Sequence, residues 1–347
     1  MTAVELIRLA HERKASDLHL VYGLPPRARM DGELGDLTGE LLDDAALTAL
    51  CEQFSGIGRE ALATLQEWDG AGSFAGVRCR VNLFRQQDHL SLAVRLLSDS
   101  IPALEKLGLP PIVDTLPTLP RGIVLVTGET GSGKSTTLAA IIDRINHTRT
   151  DHIITIEDPI EYVYTPDRCV INQRELGRDT ASFSNALRAA LREDPNVILV
   201  GEMRDNETIE TALTAAETGH LVFGTLHTGS AADTVDRIVD VFPEARQRQI
   251  RLQLSMTLRC VLAQQLLPRI GGGRVCACEA MVMTPAIQNL IREGKTPQIR
   301  NAIATGAEIG SVTMDNALVR LWKERVIDAA TARAAAQDRD YVTKRTV

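Results

Sequence analysis

The chain has 347 residues, of which 44% are hydrophobic and 24% charged. This is ordinary globular composition, long enough for about two domains. A formal net charge of −7 advertises no nucleic-acid partner, and none is expected. No apolar run of about 18 residues is present to cross a bilayer, and Met1–Lys14 carries too many charges for a signal peptide, so a reducing, cytoplasmic setting is expected.

Residues 3–14 place Val4, Leu6, Ile7 and Leu9 among charges, which predicts a short helix. Asp17–Tyr22 then alternates around Leu18, Leu20 and Tyr22 until Gly23-Leu24-Pro25-Pro26 breaks it, a strand and turn. Asp31-Gly32 is a hairpin signal. Residues 42–66 read as helical, with Leu47, Leu50, Phe54, Leu62 and Leu65 as core candidates, and Val77–Phe84 and Leu90–Leu97 alternate as strands. Together they predict a small α+β domain over residues 1–98.

Prolines crowd the next stretch (Pro102, Pro110, Pro111, Pro117 and Pro120), so residues 99–121 read as a linker with short helical pieces. From Gly122 onward, the apolar runs Ile123–Val126, Ile153–Ile156, Val197–Val200 and Leu221–Phe223 alternate with helix-length segments. Strands apolar on both faces between helices predict an α/β domain, 122–347, built on a mainly parallel sheet. Beyond the turn Gly271-Gly272-Gly273, residues 271–347 read as mostly helical. Of the six cysteines only Cys276 and Cys278 lie close together, and they lack the second pair of a four-ligand zinc site; buried free thiols are expected.

The strongest chemical signal is Gly128-Glu129-Thr130-Gly131-Ser132-Gly133-Lys134-Ser135, a full G-x-x-x-x-G-K-[ST] match between a predicted strand and a predicted helix. Its glycines let backbone N–H groups converge on phosphate oxygens, and the helix N-terminus adds partial positive charge. Lys134 can reach the β- and γ-phosphates and Ser135 can ligate Mg²⁺, so ATP and Mg²⁺ are the implied ligands; Thr136 completes the nucleotide-binding set.

Phosphoryl transfer also needs acidic groups to place the metal and the attacking water. Two apolar runs end on carboxylates: Ile153-Ile154-Thr155-Ile156-Glu157-Asp158 and Val197-Ile198-Leu199-Val200-Gly201-Glu202. In a parallel sheet the strand C-termini share one edge, which is the edge of the P-loop. Glu202 is the first candidate for activating water, and Glu157 the second or a metal-shell ligand. Gly201 holds the slot often filled by aspartate, which leaves the metal to Ser135, Glu202 and Glu157. The alternative is that these carboxylates only cap the helices that follow. His227, at the end of the run Leu221–Leu226, points to the same edge and is a candidate γ-phosphate contact; His220 starts that run, nearer the opposite edge. Ile287, Leu290 and Ile291 form one helical stripe that reads as core packing.

These residues resemble the PilT-type ATPases of type IV pili, within the secretion-motor ATPase superfamily. The resemblance covers nearly the whole chain, from about Ala15 onward. Its marks are Ala15-Ser16-Asp17-Leu18-His19-Leu20, Gly23-Leu24-Pro25-Pro26, Arg80-Val81-Asn82 and the P-loop, with Thr155–Glu161, Ile198–Asp205 and Ala216–His227 looking like the family's Asp, Walker B and His boxes. It implies a PAS-like first domain, a RecA-like second domain followed by C-terminal helices, and six subunits in a ring with ATP between them. It further implies arginines from neighbouring domains at the phosphates, with Arg80 and Arg95 at matching positions and Arg85 a weaker candidate. The implied partner is an inner-membrane pilus platform protein, and the implied work is pilus retraction. The paired CxxC insert and the long N-terminal extension of pilus-extension ATPases are missing, which favours retraction over assembly. Glu129 replaces a proline common after the first P-loop glycine. The sequence Ala286-Ile287-Gln288-Asn289-Leu290-Ile291-Arg292-Glu293 departs from the family's late motif, carrying Gln288 in place of arginine. Alternatives are an accessory retraction, secretion or DNA-uptake motor, or a nucleotide-binding regulator with little turnover.

Overall fold

The computed structural model of the chain describes residues 1–30, 33–97 and 100–346. The hairpin signal at Asp31-Gly32 and the domain end near Ser98 lie outside the described residues. Two compact units emerge, one comprising Met1–Ile101 with Pro159–Val163, the other Pro102–Asp158 with Tyr164–Val347.

The first unit runs α1 (Ala3–Glu12), β1 (Asp17–Leu20), β2 (Arg27–Met30), β3 (Glu33–Asp36), α2 (Asp44–Ser55), α3 (Arg59–Thr64), β4 (Glu67–Phe74), β5 (Val77–Gln86) and β6 (His89–Leu96). A capping box starts α1: the Thr2 side chain accepts from Glu5 N–H, and the Glu5 carboxylate accepts from Thr2 N–H. The predicted helix over 42–66 is two helices, because Gly56 adopts φ 73° and ends α2 in the left-handed conformation. The antiparallel sheet has the order β3-β2-β1-β6-β5-β4. Along β5, Val77, Cys79, Val81 and Leu83 enter the core while Arg80 is exposed, which is the alternation expected of a sheet covered on one face. In register, Arg80 lies opposite Arg95, and Arg95 lies opposite Asp17.

The second unit opens with 3₁₀ turns at Leu104–Leu107 and Pro111–Thr118. This is the proline-rich stretch, and it packs as part of the unit: Arg149 Nη1 donates to the carbonyls of Pro117 and Leu119 at 3.0 and 2.9 Å. Then follow β7 (Gly122–Thr127), α4 (Lys134–Thr148), β8 (His152–Glu157), β9 (Val170–Glu175), α5 (Phe183–Ala190), β10 (Val197–Val200), α6 (Asn206–Glu217), β11 (Leu221–Leu226), α7 (Ala231–Asp240), α8 (Glu244–Thr257), β12 (Leu258–Pro268), β13 (Arg274–Val282), α9 (Pro285–Arg292), α10 (Ile299–Thr305), α11 (Met314–Lys323), α12 (Ala329–Ala335) and α13 (Arg339–Thr343).

Its seven-stranded sheet has the order β13-β12-β7-β11-β10-β8-β9, and every pairing is parallel except β12 with β13. The fold is thus α/β with a mainly parallel sheet, preceded by a small α+β unit and followed by C-terminal helices. Strands β7, β10 and β11 are buried at every residue, so they read as unbroken apolar runs. The predicted mostly helical stretch from Gly271 begins instead with β13, whose Cys276–Met281 segment is buried against β12 and α11; Gly271–Gly273 is the turn of that hairpin. All six cysteines are buried free thiols, and burial pushes those of Cys51, Cys260 and Cys276 up to about 12. Among the described residues no helix is long and apolar enough to cross a membrane.

Candidate active site

Four neighbouring strands of the second unit bring the predicted residues to one edge. Leu226 of β11 is level with Thr127 of β7, and Val200 of β10 is level with both Gly224 of β11 and Ile156 of β8. The P-loop, His227, Glu202 and Glu157 therefore leave the sheet side by side. At about 4.8 Å per strand, β10 lies roughly 10 Å from the P-loop strand and β8 roughly 14 Å.

The P-loop wraps onto the start of α4. Gly128 and Gly133 have φ 138° and 94°, and a Cβ on Gly128 would stand 2.4 Å from the Gln264 carbonyl oxygen. A side chain there is excluded both by conformation and by space. Lys134 Nζ donates to the carbonyls of Gly128 and Glu129 at 2.7 and 2.9 Å, folding over the loop it serves. Ser132 N–H donates to Glu129 O, while Glu129, Thr130, Gly131 and Ser135 are exposed. Thr136 and Thr137, with Ser132 and Gly133, line a cavity of about 800 Å³ whose far walls include Leu109, Leu266, Arg269 and Arg320. That volume is large enough for a nucleotide-sized ligand.

Glu202 is mostly buried, with its side chain 18% exposed. Its Oε1 meets Arg204 Nε at 2.5 Å and His227 Nε2 at 3.0 Å. Hydrogen bonding to Glu202 raises the Arg204 pKa further above its ordinary value. The cap of α6 is Asp205, whose side chain accepts from Thr208 N–H at 2.8 Å, so the helix after Glu202 is capped by a different carboxylate. Glu157 accepts from the Thr155 hydroxyl at 2.6 Å and from Gln173 Nε2 at 3.2 Å. Gly201 N–H donates to Ile156 O at 2.7 Å, and a Cβ on Gly201 would lie 2.9 Å from that oxygen and 3.2 Å from Glu157 Cα. Glycine fits this slot because the chain leaving β10 runs too close to the end of β8 for a side chain.

His220 is tied into its own surroundings, Nδ1 lying 2.8 Å from Ala215 O and 3.2 Å from Thr218 Oγ1 at the end of α6. The three candidate arginines belong to the first unit. Arg95 Nε donates to Asp17 Oδ1 at 2.9 Å, and Arg80 Nη2 lies 3.7 Å from Asp69 Oδ2. Arg85 is built into the backbone, donating to the carbonyls of Leu62, Ala63, Leu65 and Asp88 at 2.9 to 3.0 Å. Sequence reasoning passed over Arg204, which the Glu202 run already contained, and Gln264, whose amide donates to Thr137 Oγ1 at 2.8 Å beneath the P-loop. Gln264 lies on β12, a strand that carries no turn signal or alternation to announce it.

Comparison with known proteins shows the family of the chain. A family model described as type II/IV secretion system protein matches residues 80–309. The chain is 48% identical over 339 residues to the type IV pilus retractation ATPase PilT of Pseudomonas aeruginosa, covering 97% of this chain and 98% of that one. It is 53% identical over 267 residues to a twitching motility protein of Neisseria gonorrhoeae, covering 77% and 71%. A crystal structure of the pilus retraction motor PilT with bound ADP superposes with a TM-score of 0.92 at 47% identity, covering 99% of each chain. The chain belongs to the type II/IV secretion system protein family.

Proposed function

We propose that this family member is an ATP-hydrolysing motor subunit that powers retraction of a type IV pilus. The observation that carries the reading is the P-loop, the Glu202–His227 pair and Glu157 at one strand edge of a chain that matches a pilus retraction ATPase almost end to end. The P-loop amides and Lys134 bind the ATP phosphates. Glu202, about one strand nearer than Glu157, orients the attacking water and takes its proton, with His227 contacting both that carboxylate and the γ-phosphate region. Glu157 accepts from Thr155 and Gln173 at the end of β8. With the Ser135 hydroxyl and Glu202 it would make an all-oxygen donor set that fits Mg²⁺. When bound, the metal neutralises charge on the phosphates.

The working assembly is a ring of six copies with ATP between neighbours, in which Arg80 and Arg95 of one copy approach the phosphates held by the next. The division of labour follows the expected domains: residues 1–98 supply arginines, 99–121 connect, and 122–347 bind and hydrolyse ATP. The ring acts from the cytoplasm on an inner-membrane pilus platform, to which it attaches peripherally. Gln288 favours one second reading, an accessory retraction or secretion motor, because it lacks the guanidinium fork of the arginine it replaces.

Glu202→Gln tests the chemistry: ATP binding persists while hydrolysis falls about 10²- to 10⁴-fold. Comparable turnover in the variant would remove Glu202 as the base. Deleting the gene tests the biology, with excess surface pili and lost twitching expected; bald cells would overturn retraction, and unchanged cells would move the protein to the secretion reading.

A further inference from the structure

Glu279 lies in the middle of β13, 2% exposed, and takes no part in the chemistry described so far. Its two oxygens serve two helices. Oε1 accepts from Ala231 N–H at 2.8 Å, the first residue of α7, and Oε2 accepts from Met314 N–H at 3.3 Å, the first residue of α11. Both helices have caps of their own, Ser230 and Thr313, so neither needs Glu279 merely to begin. What the carboxylate adds is a fixed link between the two N-termini, where its charge also meets the positive ends of both helix dipoles.

The positions of those termini give the link a purpose. Helix α7 starts four residues after His227, which contacts Glu202 at 3.0 Å. Helix α11 leads into the C-terminal helices, whose core is formed by Leu318, Ile327, Ala332 and Val342. A second tie runs beside the first: Gln337 Nε2 donates to Gly229 O at 3.2 Å, in the loop between His227 and α7, and Gln337 N–H donates to Asp315 on α11 at 2.9 Å. Asp315, 2% exposed, also holds Arg300 and the Asp338 N–H. A cavity of about 460 Å³ borders Glu279, lined by Ser230, Asp233, Gln265, Arg300 and Gln337, and leaves the loop room to shift. Burial raises the Glu279 pKa, while its two backbone donors and Arg300 oppose that rise.

We propose that Glu279, seconded by Gln337, is a positioning residue that passes the nucleotide state felt at His227 to the C-terminal helices, by holding α7 and α11 as one body. The inference rests on the proposed ATPase function and deepens it. In a packed core a small shift of the α7 terminus moves what is rigidly bonded to it.

Full-length wild type and Glu279→Gln are compared by hydrogen–deuterium exchange with ADP and with a non-hydrolysable ATP analogue, alongside ATP hydrolysis and thermal unfolding. In wild type the analogue should slow exchange relative to ADP in both 228–235 and 314–320, by about fivefold or more. In Glu279→Gln, where an amide NH₂ replaces one acceptor, the response at 228–235 should persist while that at 314–320 shrinks below about twofold. A merely structural role would change stability or exchange in both states alike and leave the nucleotide-dependent difference intact; that result, or no response at 314–320 in wild type, overturns the proposal. If Glu279→Gln fails to fold, Gln337→Ala, at an exposed side chain, gives the same reading: a folded variant whose 314–320 response equals wild type also overturns it. A wild-type chain that does not hydrolyse ATP would refute the proposed function itself, an outcome separate from all of these.

Discussion

In the second unit, Glu202 and Glu157 stand at the ends of strands buried on both faces, and each is fixed by short contacts to neighbouring side chains. In the first unit, Arg80 and Arg95 stand on an exposed sheet face, each resting on a single carboxylate, with side chains 48% and 66% exposed. Exposed ion pairs of this kind contribute about 0–1 kcal/mol, so either arginine leaves its partner at little cost. The acidic edge is pre-set and the arginine face is releasable. That is the arrangement required if a machine binds its nucleotide within one subunit but completes its charge stabilisation only when a neighbour closes. Arg85 supplies the internal control: a few residues from Arg80, it is spent on four backbone carbonyls and has no fork left to offer.

The largest expected effect breaks the comparison at its centre. The double variant Arg80→Ala/Arg95→Ala should bind ATP normally and lose about 10³-fold or more in turnover, the range for arginines that act on transition-state charge. Mixed with Glu202→Gln, which keeps its arginines, it should regain part of the activity, since each inactive subunit supplies what the other lacks. Two variants that stay inactive when mixed, under conditions where they assemble together, would place the arginines outside the neighbour's site.

Much of the acidic edge was legible because its signals are contiguous. The P-loop spans eight adjacent residues, and the strand runs ending on Glu157 and Glu202 are apolar on both faces, which only central parallel strands require. The arginine face was legible only through resemblance: nothing local to Arg80 or Arg95 distinguishes them from Arg78 or Arg85, and their opposition appears only once β5 and β6 are in register. Strand β13 was missed for a related reason. Its run Val275–Met281 is short and lacks alternation, and its identity as a strand is decided by β12 and α11 on either side rather than by its own pattern. The role of Glu279 was invisible in the sequence because its two donors are 48 and 35 residues away.

A middle-sized effect falls on stability instead of rate. Arg85→Ala leaves four carbonyls without their donor, three around the end of α3 and that of Asp88 between β5 and β6, and should lower the stability of the first unit by about 1–3 kcal/mol. Turnover at a temperature where the variant is folded should stay within about twofold of wild type. A large loss of turnover with an unchanged unfolding midpoint would return Arg85 to the catalytic set and blur the contrast drawn above.

The smallest effect sharpens the contrast most. Burial raises the Asp17 pKa, but hydrogen bonds from Arg95 and Ser16 outweigh it, so the carboxyl sits below its ordinary value of 3.8. A depressed carboxylate stabilises the fold above its unfolded pKa and loses that contribution as pH falls through the folded one. Asp17→Asn should therefore cost no more than about 1 kcal/mol near neutral pH, a difference that fades below about pH 3.8. If the Arg95–Asp17 pair served only to hold β1 against β6, removing either partner would have the same consequence. If Arg95 is parked there for use elsewhere, Arg95→Ala loses turnover while Asp17→Asn keeps it, because releasing the guanidinium is not the same as deleting it. Equal turnover in the two single variants would reduce the pair to a cross-strand contact and leave Arg80 as the sole candidate on that face.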